Sequence, residues 1–172
     1  GIRLVTAAGV SPLKLFVVDD LPSVAASADN KSRESAQELE LPVAVDGHVD
    51  ALSYHYFKFH ANAGQRLAFD VLARRIGSSL DPIIRLLDSA GRDLAYSDDA
   101  PGLMSDAQLC YTFPAAGEYY LELRDIQYRG SGESVYRLRT GDFPCVTAAY
   151  PLAPKRGSEV TLTFPGSQTD QV

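Results

Sequence analysis

The sequence predicts an all-β protein, a jelly-roll-like antiparallel β-sandwich, on two observations. Several short segments alternate apolar and polar residues with the period of two that half-buried strands require. Turn-forming residues separate these segments at roughly regular intervals, a pattern typical of sandwiches and barrels. The clearest alternating segments are residues 57–59, 67–71, 109–113, 119–124 and 136–138.

The connections between these segments are rich in Gly, Pro, Asn, Asp and Ser, as tight turns require. They are residues 62–64, 77–79, 88–91, 101–102, 115–117 and 130–132. Only residues 30–40 have a helix-like composition, and we expect at most one or two helical turns there before Pro42.

The two ends of the chain differ from its middle. Residues 2–6, 13–18 and 160–164 predict further strands, whereas residues 143–157 are proline-rich, as a connector would be. We divide the chain into strands of a preceding or flanking β module (residues 1–24), the sandwich (residues 25–140), and a linker with the first strand of a following or flanking module (residues 141–172). Alternatively, the end strands pair with each other across the sandwich.

Composition excludes two classes of partner. The 172 residues suffice for one main domain, and we expect no membrane span because no apolar run approaches about 18 residues. The formal net charge is −6, and no basic cluster is denser than Arg74-Arg75. We therefore expect no nucleic-acid partner.

Two cysteines, Cys110 and Cys145, are too few for a disulfide scaffold and lack the paired spacing of a zinc site. One bridge and two separate thiols both remain open, because the sequence does not give the distance between them.

With the strands placed, residues from about 25 to 140 resemble the bacterial pre-peptidase C-terminal domain. The order and spacing of several motifs carry this resemblance more than any one of them. The motifs are Gly47, residues 56–59, 63–67 and 86–94, Asp98-Asp99, Asp106 and residues 113–120.

The resemblance implies a sandwich related in fold to the collagen-binding domains of clostridial collagenases. It also implies a non-catalytic accessory module of a secreted or cell-surface modular protein, acting in attachment to protein or polysaccharide, as a spacer, or both. A purely structural linker is the alternative, and a hydrolase is a third hypothesis. The implied partners are neighbouring domains of the same polypeptide and extracellular protein or polysaccharide, and the implied location is secreted, periplasmic or cell surface.

Calcium is the one cofactor for which the sequence offers ligands. Asp98, Asp99 and Asp106 concentrate hard oxygen ligands on one turn-rich loop, which favours calcium. Solvated surface carboxylates are the alternative interpretation, since the alternation of an EF-hand loop is absent.

A second calcium position is implied only by the resemblance. Asp29 and Asn30 would supply its first group, and Asp46 and Asp50 lie nearby in the sequence. Ser53 and His55 stand where two aspartates would be expected, which removes charge that a hard cation requires. We therefore expect no complete site there.

Four tyrosines fall on positions that the alternation directs outward, namely Tyr54, Tyr56, Tyr120 and Tyr128. Exposed tyrosines are common binding anchors, so these are candidate ligand-binding residues.

The spacing of Ser53, His55 and Asp50 argues against a hydrolase triad. Two residues on the same face of one strand lie about 7 Å apart, and no nucleophile elbow precedes a helix. We predict no catalytic residues.

Overall fold

In a computed structural model, which describes residues 1–167, the alternating segments become strands of two five-stranded sheets that form a sandwich. The predicted fold class is confirmed. In chain order the strands are β1 (Val5–Thr6), β2 (Gly9–Val10), β3 (Ser23–Ala25), β4 (Gln37–Glu38), β5 (Val43–His48), β6 (His55–Ala61), β7 (Arg66–Leu72), β8 (Pro82–Leu87), β9 (Asp93–Ser97), β10 (Gln108–Thr112), β11 (Gly117–Asp125), β12 (Val135–Gly141), β13 (Cys145–Val146) and β14 (Gly166–Ser167).

The first sheet has the strand order β10-β7-β12-β5-β3, and the second has the order β4-β6-β11-β8-β9. Neighbouring strands run antiparallel except at one edge of each sheet, where β3 lies parallel to β5 and β4 lies parallel to β6. A single 3₁₀ turn at Arg74–Ile76 follows β7. The described residues contain no helix long and apolar enough to cross a membrane.

The core lies between the sheets, where the period-two pattern directs the apolar side chains. Alternate residues of β11, Tyr119, Leu121 and Leu123, are buried. The ring of Phe59 lies 5.5 Å from that of Phe69, centroid to centroid, across the two sheets. Burying such side chains contributes about 1.5–3 kcal/mol each, so the core is the main source of the fold's stability.

Residues 30–40 do not form the expected helical turns. Ser32 and Ser35 bond to each other through their side chains, and each hydroxyl also accepts a hydrogen bond from the other residue's backbone N–H. Such local side-chain bonds compete with a helix. The side chain of Gln37 then bridges Ala25 and Ser27, which places β4 beside the second sheet's β6.

The two ends of the described chain form separate two-stranded sheets, β1-β2 and β13-β14. The N-terminal hairpin, residues 1–14, is closed by an antiparallel bridge between Ile2 and Lys14. Eight large apolar side chains of residues 1–18 are between 48% and 87% exposed, namely Ile2, Leu4, Val5, Val10, Leu13, Leu15, Phe16 and Val18. This end of the chain therefore has no core of its own among the described residues.

The C-terminal segment is attached to the sandwich by a disulfide. Cys110 of β10 and Cys145 of β13 are bridged, which decides between the two alternatives that the sequence left open. Nearby, Gly102 has a positive φ of 80° and approaches the carbonyl of Thr147 so closely that a Cβ atom would collide with it.

We expect the Cys110→Ser/Cys145→Ser double variant to be about 2–4 kcal/mol less stable than the wild type, because the bridge closes a long loop. The midpoint of thermal unfolding should fall by roughly 4–16 °C. Reducing the wild type should lower its midpoint equally, whereas the double variant should not respond to reductant. A wild type indifferent to reductant would contradict the assignment.

Candidate functional site

Three of the four predicted binding tyrosines meet on the outer face of the second sheet. Tyr54 donates a hydrogen bond to the hydroxyl of Tyr128 at 3.1 Å, and the two rings contact edge to face with centroids 5.7 Å apart. Tyr56 stacks on Tyr54 with centroids 6.0 Å apart. We call Tyr54, Tyr56 and Tyr128 the tyrosine cluster. It combines the end of the β5–β6 connection, β6 and the turn after β11.

Two charged side chains, Arg124 and Glu122, hold two rings of the tyrosine cluster in place. Arg124 lies over the ring of Tyr128, with its guanidinium carbon 4.4 Å from the centroid. Tyr56 donates a hydrogen bond to Glu122 at 2.7 Å. Glu122 is only 3% exposed, and Arg85 contacts both of its carboxylate oxygens at 3.2 Å. The carboxylate is therefore compensated by its neighbours.

The phenols of Tyr54 and Tyr56 stay protonated over the ordinary pH range. Burial raises the pKa of Tyr56 far above its usual value, and the neighbouring Glu122 raises it further. The hydrogen bond to Tyr128 is the main reason that the pKa of Tyr54 is also raised. Tyr54 and Tyr56 therefore present neutral aromatic rings with polar tips, a type of surface that binds sugars and polypeptides.

Tyr120 is placed apart from the cluster. Its hydroxyl donates to Glu118 at 2.7 Å, and Arg33 lies 6.0 Å from its ring centroid. Alternation explains why Tyr56 and Tyr120, on β6 and β11, point outward. The grouping of the cluster depends on strand pairing, since Tyr56 and Glu122 are opposite each other on β6 and β11.

The acidic loop does not assemble the expected calcium ligands. Asp98 and Asp99 remain on the turn, where a carboxylate oxygen of Asp98 accepts the backbone N–H of Asp99. Asp106 is fully buried instead. Its two oxygens accept the backbone N–H groups of residues 73, 74 and 75 and the Nε–H of Arg75 at 2.7 Å.

A calcium site that includes Asp106 does not fit this arrangement, because four donors already surround its carboxylate and compensate its charge. Within residues 1–167 no group of three or more His, Cys, Asp and Glu side chains is arranged to hold a metal ion. Calcium binding through Asp98 and Asp99 alone stays a prediction.

The residues of the second calcium position are also dispersed. Asp46 pairs with Arg137 at 2.7 Å, and Asp50 lies 3.5 Å from His48. Asp29 is exposed, whereas Asn30 is fully buried with no hydrogen-bond partner for either side-chain atom among the described residues.

The Asn30 amide, which has no partner among the described residues, suits an additional ligand, and a buried water would satisfy it. A cation fits poorly, because the next residue, Lys31, places its ammonium 2.9 Å from His55. The repulsion between two positive charges opposes a metal ion at this place.

His55 is held between two partners rather than presented to Ser53. The ammonium of Lys31 can only donate, so it donates to Nε2 of His55, and the proton on Nδ1 is then donated to Tyr136 at 2.6 Å. Burial, together with the nearby charge of Lys31, lowers the pKa of His55 to about 4. Ser53 donates to the carbonyl of Tyr54. These contacts do not form a Ser-His-Asp triad.

We expect the stability of the chain to decrease on acidification because of His55. Its pKa of about 4 in the folded state lies below the ordinary value of 6.5, so the unfolded state binds more protons between these pH values. The contribution of His55 to the free energy of unfolding should be complete above about pH 6.5. As the pH approaches 4, the free energy of unfolding should fall by up to about 3 kcal/mol.

Urea unfolding at a series of pH values measures this effect. His55→Gln should lose this part of the pH dependence, whereas the exposed His60→Gln should keep it. Identical pH profiles for the two variants would show that His55 is not the responsible group.

We expect Asp106→Asn to lower the free energy of unfolding by about 3–5 kcal/mol, because it removes the buried charge that pairs with the half-buried Arg75 and replaces an acceptor oxygen by a donor amide. Asp98→Asn should change it by less than about 0.5 kcal/mol, as surface substitutions do. Urea unfolding in EDTA and in millimolar calcium compares the two. A loss in Asp106→Asn that occurs only with calcium present would contradict a purely structural role.

Comparison with known proteins supports the resemblance. Residues 53–125 match the family model of the bacterial pre-peptidase C-terminal domain. Over 92 residues the chain is 37% identical to a probable subtilase-type serine protease of Deinococcus radiodurans, a match that covers 52% of this chain and 12% of that protein. The chain thus spans a small fraction of this relative's length.

Two solved structures are also similar. One is the pre-peptidase C-terminal domain of a Bacillus anthracis collagenase, with 12% identity, a TM-score of 0.48, and coverage of 71% of this chain and 99% of that chain. The other is a periplasmic inhibitor of g-type lysozyme from Aeromonas hydrophila, with 13% identity, a TM-score of 0.49, and coverage of 70% and 96%. The family match over residues 53–125 confirms the resemblance seen in the sequence, and this part of the sandwich is similar to bacterial pre-peptidase C-terminal domains.

Proposed function

We propose that this chain is a non-catalytic accessory module of a secreted, periplasmic or cell-surface modular protein. In this proposal it attaches its parent protein to an extracellular protein or polysaccharide and holds neighbouring modules apart. The tyrosine cluster is the observation that carries the proposal.

The cluster suits attachment because its rings are ordered before any ligand arrives. Tyr54 and Tyr128 are joined through their hydroxyls, Arg124 covers one face of Tyr128, and Glu122 fixes Tyr56. Rings that are already in place lose little side-chain entropy on binding, so more of the contact energy remains as affinity.

The ends of the chain support the spacer part of the proposal. The apolar side chains exposed on residues 1–18 are those expected of strands that pack against a neighbouring β module. We propose the same relation for residues 141–172, where the described part exposes Tyr150 and Leu152 by 67% and 84%.

Two further observations support the proposed location and context. A disulfide between Cys110 and Cys145 is suited to an oxidising compartment outside the cytoplasm. The Deinococcus relative is named as a probable protease, which supports a parent protein that carries a peptidase domain elsewhere in its chain.

Co-sedimentation with insoluble cellulose, chitin, peptidoglycan and fibrillar collagen tests attachment. We expect the wild type to bind at least one polymer, and Tyr54→Ala/Tyr128→Ala to weaken that binding by roughly tenfold or more, since aromatic anchors are each worth about 1–2 kcal/mol or more. Tyr150→Ala, which removes an exposed tyrosine outside the cluster, should bind like the wild type.

A double variant that binds as well as the wild type would overturn the assignment of the site. A wild type that binds none of the four polymers would favour the alternative, a purely structural linker.

A further inference from the structure

A chain of ion pairs crosses the outer face of the first sheet. Starting at β5, carboxylates and guanidinium groups alternate along it, and each is within 3.5 Å of the next. The members in order are Asp46, Arg137, Asp19, Arg139, Asp70, Arg75 and Asp106, joined at 2.7, 3.3, 2.8, 3.5, 2.6 and 2.7 Å. Only Asp19 lies outside the sandwich strands and their connections, in the segment that leads from the N-terminal hairpin.

Asp19 is held more firmly than a surface carboxylate. Its side chain is 6% exposed and accepts from Nε of Arg139 at 2.8 Å and Nε of Arg137 at 3.3 Å. Its other oxygen accepts the backbone N–H of Leu21 at 3.4 Å. A carboxylate withdrawn from water to this degree requires such partners, so the two arginines form a carboxylate-binding site that the chain fills with its own residue.

Apolar contacts add little to this docking. Phe16 and Val18 are 55% and 87% exposed, although residues 15–17 line one side of a groove of about 380 Å³ with β5 and β12. At about 25 cal/mol per Å² of buried apolar surface, side chains so exposed contribute little. Within residues 15–21 only Val17, Asp19 and Leu21 are partly buried, and Asp19 alone of them makes charged contacts to the sheet.

The sandwich does not need Asp19 to balance its own charges. Arg137 keeps Asp46 as a partner at 2.7 Å, and Arg139 keeps Asp70 at 3.5 Å. Release of Asp19 would thus leave both guanidinium groups paired and return one carboxylate to water. Neither the arrangement with Asp19 bound nor the one with Asp19 released contains an unpaired buried charge. A segment that switches between two positions requires this of both of them.

We propose that Arg137 and Arg139 form a carboxylate-binding site for the connecting segment, and that Asp19 acts there as a releasable ionic clasp. The clasp sets the orientation of the N-terminal hairpin, residues 1–14, on the sandwich. This inference rests on the proposed spacer function and identifies how the spacer fixes one of its neighbours. The opposite end is attached by the Cys110–Cys145 bridge, so the two joints differ in kind.

A single fluorescent reporter tests the clasp. The chain contains no tryptophan, so Phe16→Trp places a unique indole in the connecting segment. In that background, Asp19→Asn removes the anchoring charge. Asp20→Asn is the matched control. It removes an equal charge at the next residue, and the side chain of Asp20 makes no ion pair within the described residues.

We expect Asp19→Asn to raise the acrylamide quenching constant of the indole roughly twofold and to lower its anisotropy, because the segment is released from the sheet. Asp20→Asn should leave both quantities unchanged. Arg139→Gln should release the segment as well, and adding Asp19→Asn to it should have little further effect, since both changes break one interaction. Equal quenching constants in Asp19→Asn and Asp20→Asn would overturn the proposal. So would fully additive effects of Asp19→Asn and Arg139→Gln on the quenching constant.

The polymer assay separates this inference from the proposed function. The tyrosine cluster lies on the second sheet, so Asp19→Asn should still co-sediment with any polymer that the wild type binds. A released segment with intact binding supports both proposals. If Asp19→Asn loses polymer binding while its near-ultraviolet circular dichroism is unchanged, the clasp is not a local joint. If the wild type shows the expected quenching results but binds no polymer, only the proposed attachment is overturned.

Discussion

The pairing of buried carboxylates with arginines is the constraint on which the rest of this structure depends. Asp70, Asp106 and Glu122 are at most 3% exposed, and each contacts at least one guanidinium group. An unpaired charge in such a place costs several kcal/mol, comparable with the whole stability of a domain. Arg75 and Arg85 are therefore required by the fold as much as the apolar core is.

These pairs also connect the sandwich to the two features on which the proposals rest. On the second sheet, Glu122 joins Arg85 to Tyr56 and so brings a structural ion pair into contact with the tyrosine cluster. On the first sheet, the same kind of contact extends from Asp106 to the segment that enters the sandwich. The two outer faces thus use one type of interaction for different purposes, to order aromatic rings on one side and to hold a chain segment on the other.

Much of the fold could be predicted from the sequence because strand alternation is local. The pattern in residues 67–71 and 119–124 correctly assigned β7 and β11 and their buried faces. The buried environment of Asp106 could not be predicted. The sequence around an acidic loop residue does not distinguish a metal ligand from a carboxylate that accepts four hydrogen bonds from a distant turn. The contact between Asp19 and Arg139 joins residues 120 positions apart, and no local pattern encodes it.

The two attachments at the ends of the chain meet the same sheet. Asp19 is held by β12, β3 follows it along the edge of that sheet, and the bridge from Cys145 reaches β10. In the proposed modular parent protein, both neighbouring modules are therefore joined to the first sheet. The second sheet, which carries the tyrosine cluster, bears neither attachment, so the proposed spacer and binding roles use different sheets of the sandwich.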